Sequence, residues 1–238
     1  MSDKLEQTTE TEAPDKWEIT ANRFVAFIDI MGFKDLVARN SHEEIYSKLE
    51  YLNEKKRITV ENLHKLVNNE AFVTMFSDSI CFFSRNDSPK SLKYILTSTS
   101  LFFAQSISSL PMKGAIALGK ISVDKNRQIF FGQPIIDAYL LQEEVNYYGV
   151  VFHNTVDKYI KEKNFEEGDR YFFEAKTPMK SGKITHNNID WFSRFPPYKG
   201  KDRKESLSDL IKSLKNNVSG KPRIYVDNTE EMMFLCLK

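Results

Sequence analysis

Two runs of strand-like apolar residues in this chain each carry one carboxylate, and that pairing narrows its possible folds more than any other feature. The first is Phe24-Val25-Ala26-Phe27-Ile28-Asp29-Ile30-Met31-Gly32-Phe33. The second is Phe72-Val73-Thr74-Met75-Phe76-Ser77-Asp78-Ser79-Ile80-Cys81-Phe82-Phe83. An ionised carboxylate inside such a stretch is strongly penalised unless a partner compensates it. No arginine stands next to either aspartate in the sequence, so the expected partner is a metal cation, and hard oxygen ligands favour Mg2+ or Mn2+. The two carboxylates together point to phosphate chemistry.

The 238 residues, 41% of them hydrophobic, suffice for one sizeable core, and a single domain over 19–238 is expected. Residues 1–18 are polar and acidic, read as a mobile tail, and contain no apolar core of a signal peptide. Lys+Arg 34 against Asp+Glu 33 gives +1, which speaks for no nucleic-acid partner and no membrane surface. No run approaches the ~20 apolar residues of a membrane span. A soluble, cytoplasmic protein is expected. Cys81 and Cys236 form no CxxC pair and are expected to be reduced and inert. His42, His64, His153 and His186 lack metal-ligand spacing, and the phenylalanine-rich segments are expected in the core.

Residues 23–30 are predicted to form a central strand covered on both faces. Met31-Gly32 turns the chain and Phe33 begins a helix. Ser41 and Glu44 make a capping box that opens a long amphipathic helix to about Leu66, with Ile45, Leu49, Leu52 and Ile58 on one face. Residues 71–77 and 79–84 read as a tight hairpin around Ser77-Asp78. Ser88-Pro89 starts a helix to about Ser108, since proline is favourable at the first helical position. Lys113–Gly119 is a strand whose glycines allow close backbone approach. A short strand at 128–131, a helix over 134–146 and a short strand at 150–152 follow. Residues 170–177 and 183–192 form a late hairpin, 206–216 a helix, and 232–237 close the fold. The order β-α-β-β-α-β, then αβ, is an α+β ferredoxin-like kernel with helices on one face.

Several segments resemble the class III nucleotidyl cyclases. Phe27-Ile28-Asp29-Ile30-Met31-Gly32-Phe33 is similar to that family's first-strand motif, in which an aspartate binds metal and the turn presents backbone N–H groups to phosphates. Thr74-Met75-Phe76-Ser77-Asp78 resembles its second metal aspartate at a hairpin. Lys113–Gly119 is similar to its fourth strand, Phe131–Leu141 to its glycine-led helix, and Lys180-Ser181-Gly182-Lys183 to a late hairpin with a phosphate-binding lysine. The five segments stand in the family's order across residues 23–192, which is a stronger signal than any one motif.

The resemblance implies a ferredoxin-like βαββαβ cyclase catalytic domain with C-terminal hairpin and helix additions. It implies Asp29 and Asp78 as catalytic metal ligands, with the Ile30 carbonyl, for two Mg2+ or Mn2+ ions. Backbone N–H groups at Met31, Gly32 and Phe33 would cradle the triphosphate, approached by Lys180 or Lys183. Adenylyl and guanylyl cyclases place charged purine readers where this chain has Thr74 and Ile129, and an asparagine and an arginine where it has Ile136 and Leu140. Both metal aspartates without purine readers most resemble the pyrimidine cyclases of bacterial anti-phage signalling. These are homodimers making cyclic UMP or cyclic CMP, so the implied reaction takes UTP, or CTP, to its 3′,5′-cyclic monophosphate and pyrophosphate. The cyclic product would act on a separate effector. Taken singly, Asp29 fits a turn cap and Asp78 ordinary hairpin chemistry equally well. A catalytically silent nucleotide-binding or dimerising domain and a metal-dependent phosphohydrolase are the open alternatives.

Overall fold

The computed structural model describes residues 17–67, 70–165 and 170–238. Residues 1–16 of the expected tail lie outside the described residues. Packing has begun by Trp17, inside the stretch read as tail: its indole N–H donates to Val123 O (3.1 Å), and Arg23 and Lys125 lie 4.1 and 3.5 Å from its ring centre.

The chain runs β1 (Thr20–Ile30), α1 (Phe33–Arg39), α2 (His42–Val67), β2 (Ala71–Phe76), β3 (Ser79–Ser84), α3 (Pro89–Ser106), β4 (Met112–Asp124), β5 (Ile129–Gly132) and α4 (Gln133–Glu144). It continues with β6 (Val150–Phe152), α5 (Asn154–Glu162), β7 (Phe172–Met179), β8 (Gly182–Ile189), a single 3-10 turn at Phe192–Arg194, α6 (Arg203–Asn217) and α7 (Lys221–Cys236). One sheet has the order β2-β3-β1-β4-β6-β8-β7, with β5 paired to β4 off that path. Its first four strands are antiparallel and ordered as in a ferredoxin-like kernel; β6 joins β4 in parallel and the β7–β8 hairpin extends that edge.

Local signals set most boundaries. The Glu44 carboxylate accepts from Ser41 N–H (2.9 Å) while Ser41 Oγ accepts from Glu44 N–H (3.2 Å), which starts α2. Ser88 Oγ accepts from Ser91 N–H and Pro89 stands at the first turn of α3. Phe76 pairs with Ser79, leaving the two-residue turn Ser77-Asp78 with Ser77 at φ 54°. Two helices, α5 and α7, had no counterpart in the expected elements. The buried face of α7 is Tyr225, Val226, Thr229, Met232, Met233 and Cys236, a helical spacing whose apolar pattern Thr229 interrupts. In α5 the buried residues Val156 and Tyr159 stand three apart, on one face of a short helix.

Strand alternation divides β1 into two faces. Phe24, Ala26 and Ile28 point to one: Phe24 meets Tyr159 of α5 edge-on, and Phe82, opposite Ala26, packs on Phe102 of α3. Val25, Phe27 and Asp29 point to the other, where Phe27 meets Tyr139 of α4 edge-on (5.5 Å). Helices therefore cover both faces, which corrects the expectation of one. After Gly132 ends β5, α4 follows directly and packs across β1 and β4.

Gly114 lets β4 close against β1. A Cβ there would lie 2.6 Å from the Phe27 carbonyl oxygen, a backbone atom that cannot rotate away. Gly114→Ala should destabilise the protein by roughly 1–3 kcal/mol as strands shift apart. Thermal unfolding checks this; an unchanged melting temperature would show that the strands have room.

Candidate active site

The strand registers place four residues in one row across the sheet: Phe76 of β2, Ser79 of β3, Asp29 of β1 and Lys113 of β4. The next row inward is Thr74, Cys81, Phe27 and Ala115, on the same face. Asp78 stands in the hairpin turn beside the first row, and its carbonyl accepts from Ile30 N–H at 2.9 Å, locking that turn to the end of β1. The two aspartates, far apart in sequence, thus meet at one corner of the sheet.

Their meeting shows in the ionisation of Asp29. Burial pushes its carboxyl up, the charge of Asp78 adds to this, Lys113 opposes it and Glu143 adds again, leaving Asp29 at about 6. Lys113 is buried and stands opposite Asp29, and its ammonium donates to Glu143 O at 3.1 Å. Burial pulls Lys113 down, while Glu143 and Asp29 pull it up and Lys180 opposes them. No arginine stands beside the aspartates in the sequence, and the protein cation that the register brings to Asp29 is this lysine, which is not among the expected site residues. Its signal was present: one charged residue at the head of the apolar run Lys113–Leu118.

The expected phosphate-binding groups separate. Met31 N–H donates to Pro111 O (2.9 Å) and is not available to a ligand, which removes it from the expected cradle. Gly32, at φ 69°, and Phe33 remain at the entry to α1. Lys180 lies 3.7 Å from the Glu143 carboxylate, and its N–H donates to Glu144 O, so it belongs to the charge cluster around Lys113. Lys183 instead pairs with Glu231 of α7 at 2.5 Å.

Of the expected base readers, Thr74 shares the face of Asp29. It is two strands away and one row inward, about 12 Å between Cα atoms by strand spacing and rise, the length scale of a nucleotide. Ile129 pairs with Asp124 and is half-exposed. The β5 residue turned towards this face is its neighbour Phe130, packed on Phe72 and Phe83, so alternation sends Ile129 to the other side. Cys81, in the Thr74 row, is free and burial pushes its thiol up to about 12; Cys236 is also free and buried.

The carboxylate pair has the donor chemistry of a hard-cation site. No third His, Cys, Asp or Glu completes a metal-binding group among the described residues. Two carboxylates suit a cation that takes its other ligands from substrate phosphates and water. Contrary to the expectation that the phenylalanines are core, Phe76 in the Asp29 row is 84% exposed, and so, at 63%, is Phe131 at the far end of β4. Ile136 and Leu140, one turn apart on α4, are exposed as well.

By sequence, the chain matches no protein-family model and no curated protein. Its structure does have counterparts. One is the monomeric guanylyl cyclase domain of the RhoGC fusion protein from the aquatic fungus Blastocladiella emersonii, with 10% identity and TM-score 0.52 over 71% of this chain and 95% of that domain. Another is a dimeric guanylyl cyclase domain of the same fusion protein, with 14% identity and TM-score 0.52 over 71% of this chain and 96% of that domain. The architecture is thus the α+β fold of class III cyclase catalytic domains, and at these identities the likeness is one of fold. No helix among the described residues is long and apolar enough to cross a membrane.

Proposed function

We propose that this protein is a nucleotidyl cyclase that converts a pyrimidine nucleoside triphosphate, UTP in preference to CTP, to its 3′,5′-cyclic monophosphate and pyrophosphate. The observation that carries the reading is the junction of Asp29 and Asp78 at one corner of a cyclase-type fold, with buried Lys113 beside them. The ribose 3′-oxygen attacks the α-phosphorus of its own nucleotide. A bond from that oxygen to phosphorus forms, the bond to pyrophosphate breaks, and the hydroxyl proton passes to solvent.

Asp29 and Asp78, with the Ile30 carbonyl, would hold Mg2+ or Mn2+, two ions in the reading the resemblance suggests. A divalent cation held there would supply neutralisation of phosphate charge and a lowered pKa for the 3′-hydroxyl. Lys113 supplies a fixed positive charge that water screens poorly. Lys180 is the more suitable of the two late lysines for the β- and γ-phosphates, because Lys183 is engaged by α7. The Gly32 and Phe33 N–H groups complete the cradle. Thr74 faces the base. Positioning and electrostatics dominate phosphoryl transfer, so no nucleophilic side chain is required.

Incubation with each nucleoside triphosphate and Mn2+ tests the reaction class. Pyrophosphate with a cyclic monophosphate is the expected product pair. Nucleotide binding without turnover of any triphosphate would identify a silent domain, for which the apolar Ile136 and Leu140 leave room. Inorganic phosphate or a linear monophosphate would identify a phosphohydrolase.

The enzyme acts as a homodimer with its active sites at the subunit interface, and its cyclic product acts on a separate effector, as in the anti-phage systems it resembles. Support for the dimer comes from the exposed apolar side chains of Phe76, Ile136 and Leu140, which need cover. Sedimentation should give a dimer, and Leu140→Glu should shift it to monomer and lower turnover by about tenfold or more, as a desolvated charge opposes association. A fully active monomer would contradict this.

A further inference from the structure

Away from the aspartate corner, α2, the end of α3, the Phe195–Tyr198 segment and α6 line a cavity of about 560 Å³ that is open on one side. That volume lies within the ~300–1,000 Å³ of sites that enclose small organic molecules. Tyr51, Phe195, Pro196, Pro197, Tyr198 and Leu210 give the lining a largely apolar surface rich in rings. Two charged residues border it, and they are not equivalent. Asp209 is neutralised by an ion pair with Lys201. Lys55 keeps its ammonium 5.0 Å from the centre of the Tyr51 ring and forms no ion pair among the described residues. The uncompensated charge on the cavity is therefore positive.

We propose that this cavity is a second ligand site, for a planar aromatic molecule bearing one anionic group. Its ring system would lie among Tyr51, Phe195 and Tyr198, where aromatic rings gain from offset and edge contacts. Its anion would meet Lys55, whose ammonium offers a charge-assisted hydrogen bond. None of the lining residues belongs to the aspartate corner, so the proposal stands apart from the nucleotide chemistry. The two regions are nevertheless joined. Ser108 lines the cavity, and three residues on, the Pro111 carbonyl holds Met31 N–H next to Ile30 and Asp29. A ligand that fixes the end of α3 also bears on the loop that follows Asp29.

The full chain is titrated with 8-anilinonaphthalene-1-sulfonate, an aromatic anion that fluoresces in apolar surroundings, and with the neutral N-phenyl-1-naphthylamine. Saturable binding of the anion at one site per chain is expected, with the neutral probe weaker. Leu210→Trp, which fills the cavity, and Lys55→Glu, which reverses its charge, should each weaken the anion by about tenfold. Tyr198→Ala, at an exposed wall position, serves the same purpose should Leu210→Trp not fold. Hydrogen exchange at Met31 should slow when the anion is bound. Unsaturable fluorescence, equal affinity in folded variants, a neutral probe binding as tightly or unchanged exchange at Met31 would each overturn the proposal. So would a wild-type dimer that Leu210→Trp dissociates, which would assign the cavity to a second copy of the chain.

Discussion

Asp29→Ala or Asp78→Ala should abolish turnover, by roughly 10³-fold or more, the scale on which enzymes lose rate when a preorganised electrostatic group is removed. The fold should survive. Asp29 lies at a strand end and Asp78 in a turn, so neither change opens a hole in the core. The cation-free protein should in fact gain stability from the Asp29 change. In the folded state Asp29 titrates at about 6, against an ordinary 3.8, because burial and the Asp78 charge both oppose its ionisation. Between those pH values the folded chain holds more protons than the unfolded one. The stability contributed by protonated Asp29 is complete below its unfolded value and lost as pH rises through about 6. Asp29→Asn should therefore flatten the loss of stability across that window and raise the neutral-pH melting temperature by about 2–4 °C, as ~1 kcal/mol does in a chain of this size. Differential scanning calorimetry without divalent cations measures the second effect and a pyrophosphate-release assay the first. Near-native turnover in either alanine variant would remove the carboxylate pair from the mechanism.

The second large effect concerns the base. ATP and GTP should be poor substrates because Thr74 offers the base a single hydroxyl and no charge, and Ile129 turns to the other side of β5. An unpaired polar group at a buried base edge costs ~1–3 kcal/mol, roughly tenfold to a hundredfold in kcat/KM for each group lost. One hydroxyl donates or accepts, so it suits the uracil O4 and the cytosine N4 amine alike. Thr74→Val keeps the shape and the strand preference but removes that hydroxyl. It should lower kcat/KM for the preferred pyrimidine about tenfold with little change in melting temperature. Unchanged kinetics would mean that the base lies elsewhere.

What the sequence conveyed well was carried by short-range chemistry. The Ser41/Glu44 box, Ser88-Pro89 and the Ser77-Asp78 turn each act within a few residues, and the structure has an element boundary at each. Alternating registers then bring Asp29 and Asp78 to one corner. What it conveyed poorly depends on tertiary placement. Lys113 meets Asp29 through a strand register that no local pattern encodes. The helix α4 covers the second face through contacts such as Phe27 with Tyr139, a tertiary placement that the 3.6-residue period does not report. In β5, only four residues long, a one-residue shift exchanges Ile129 for Phe130 on the inner face, and nothing local favours one register. Exposed Phe76 and Phe131 break the rule that large apolar residues are core.

Competition among the four nucleoside triphosphates, mixed in equal amounts with the protein and Mn2+, tests the central claim most directly, with cyclic products identified by mass spectrometry. The expected result is cyclic UMP in excess, cyclic CMP next, little cyclic AMP or cyclic GMP, and none of the four from Asp29→Ala. Predominant cyclic AMP or cyclic GMP, or no cyclic product from the wild-type protein, would contradict it.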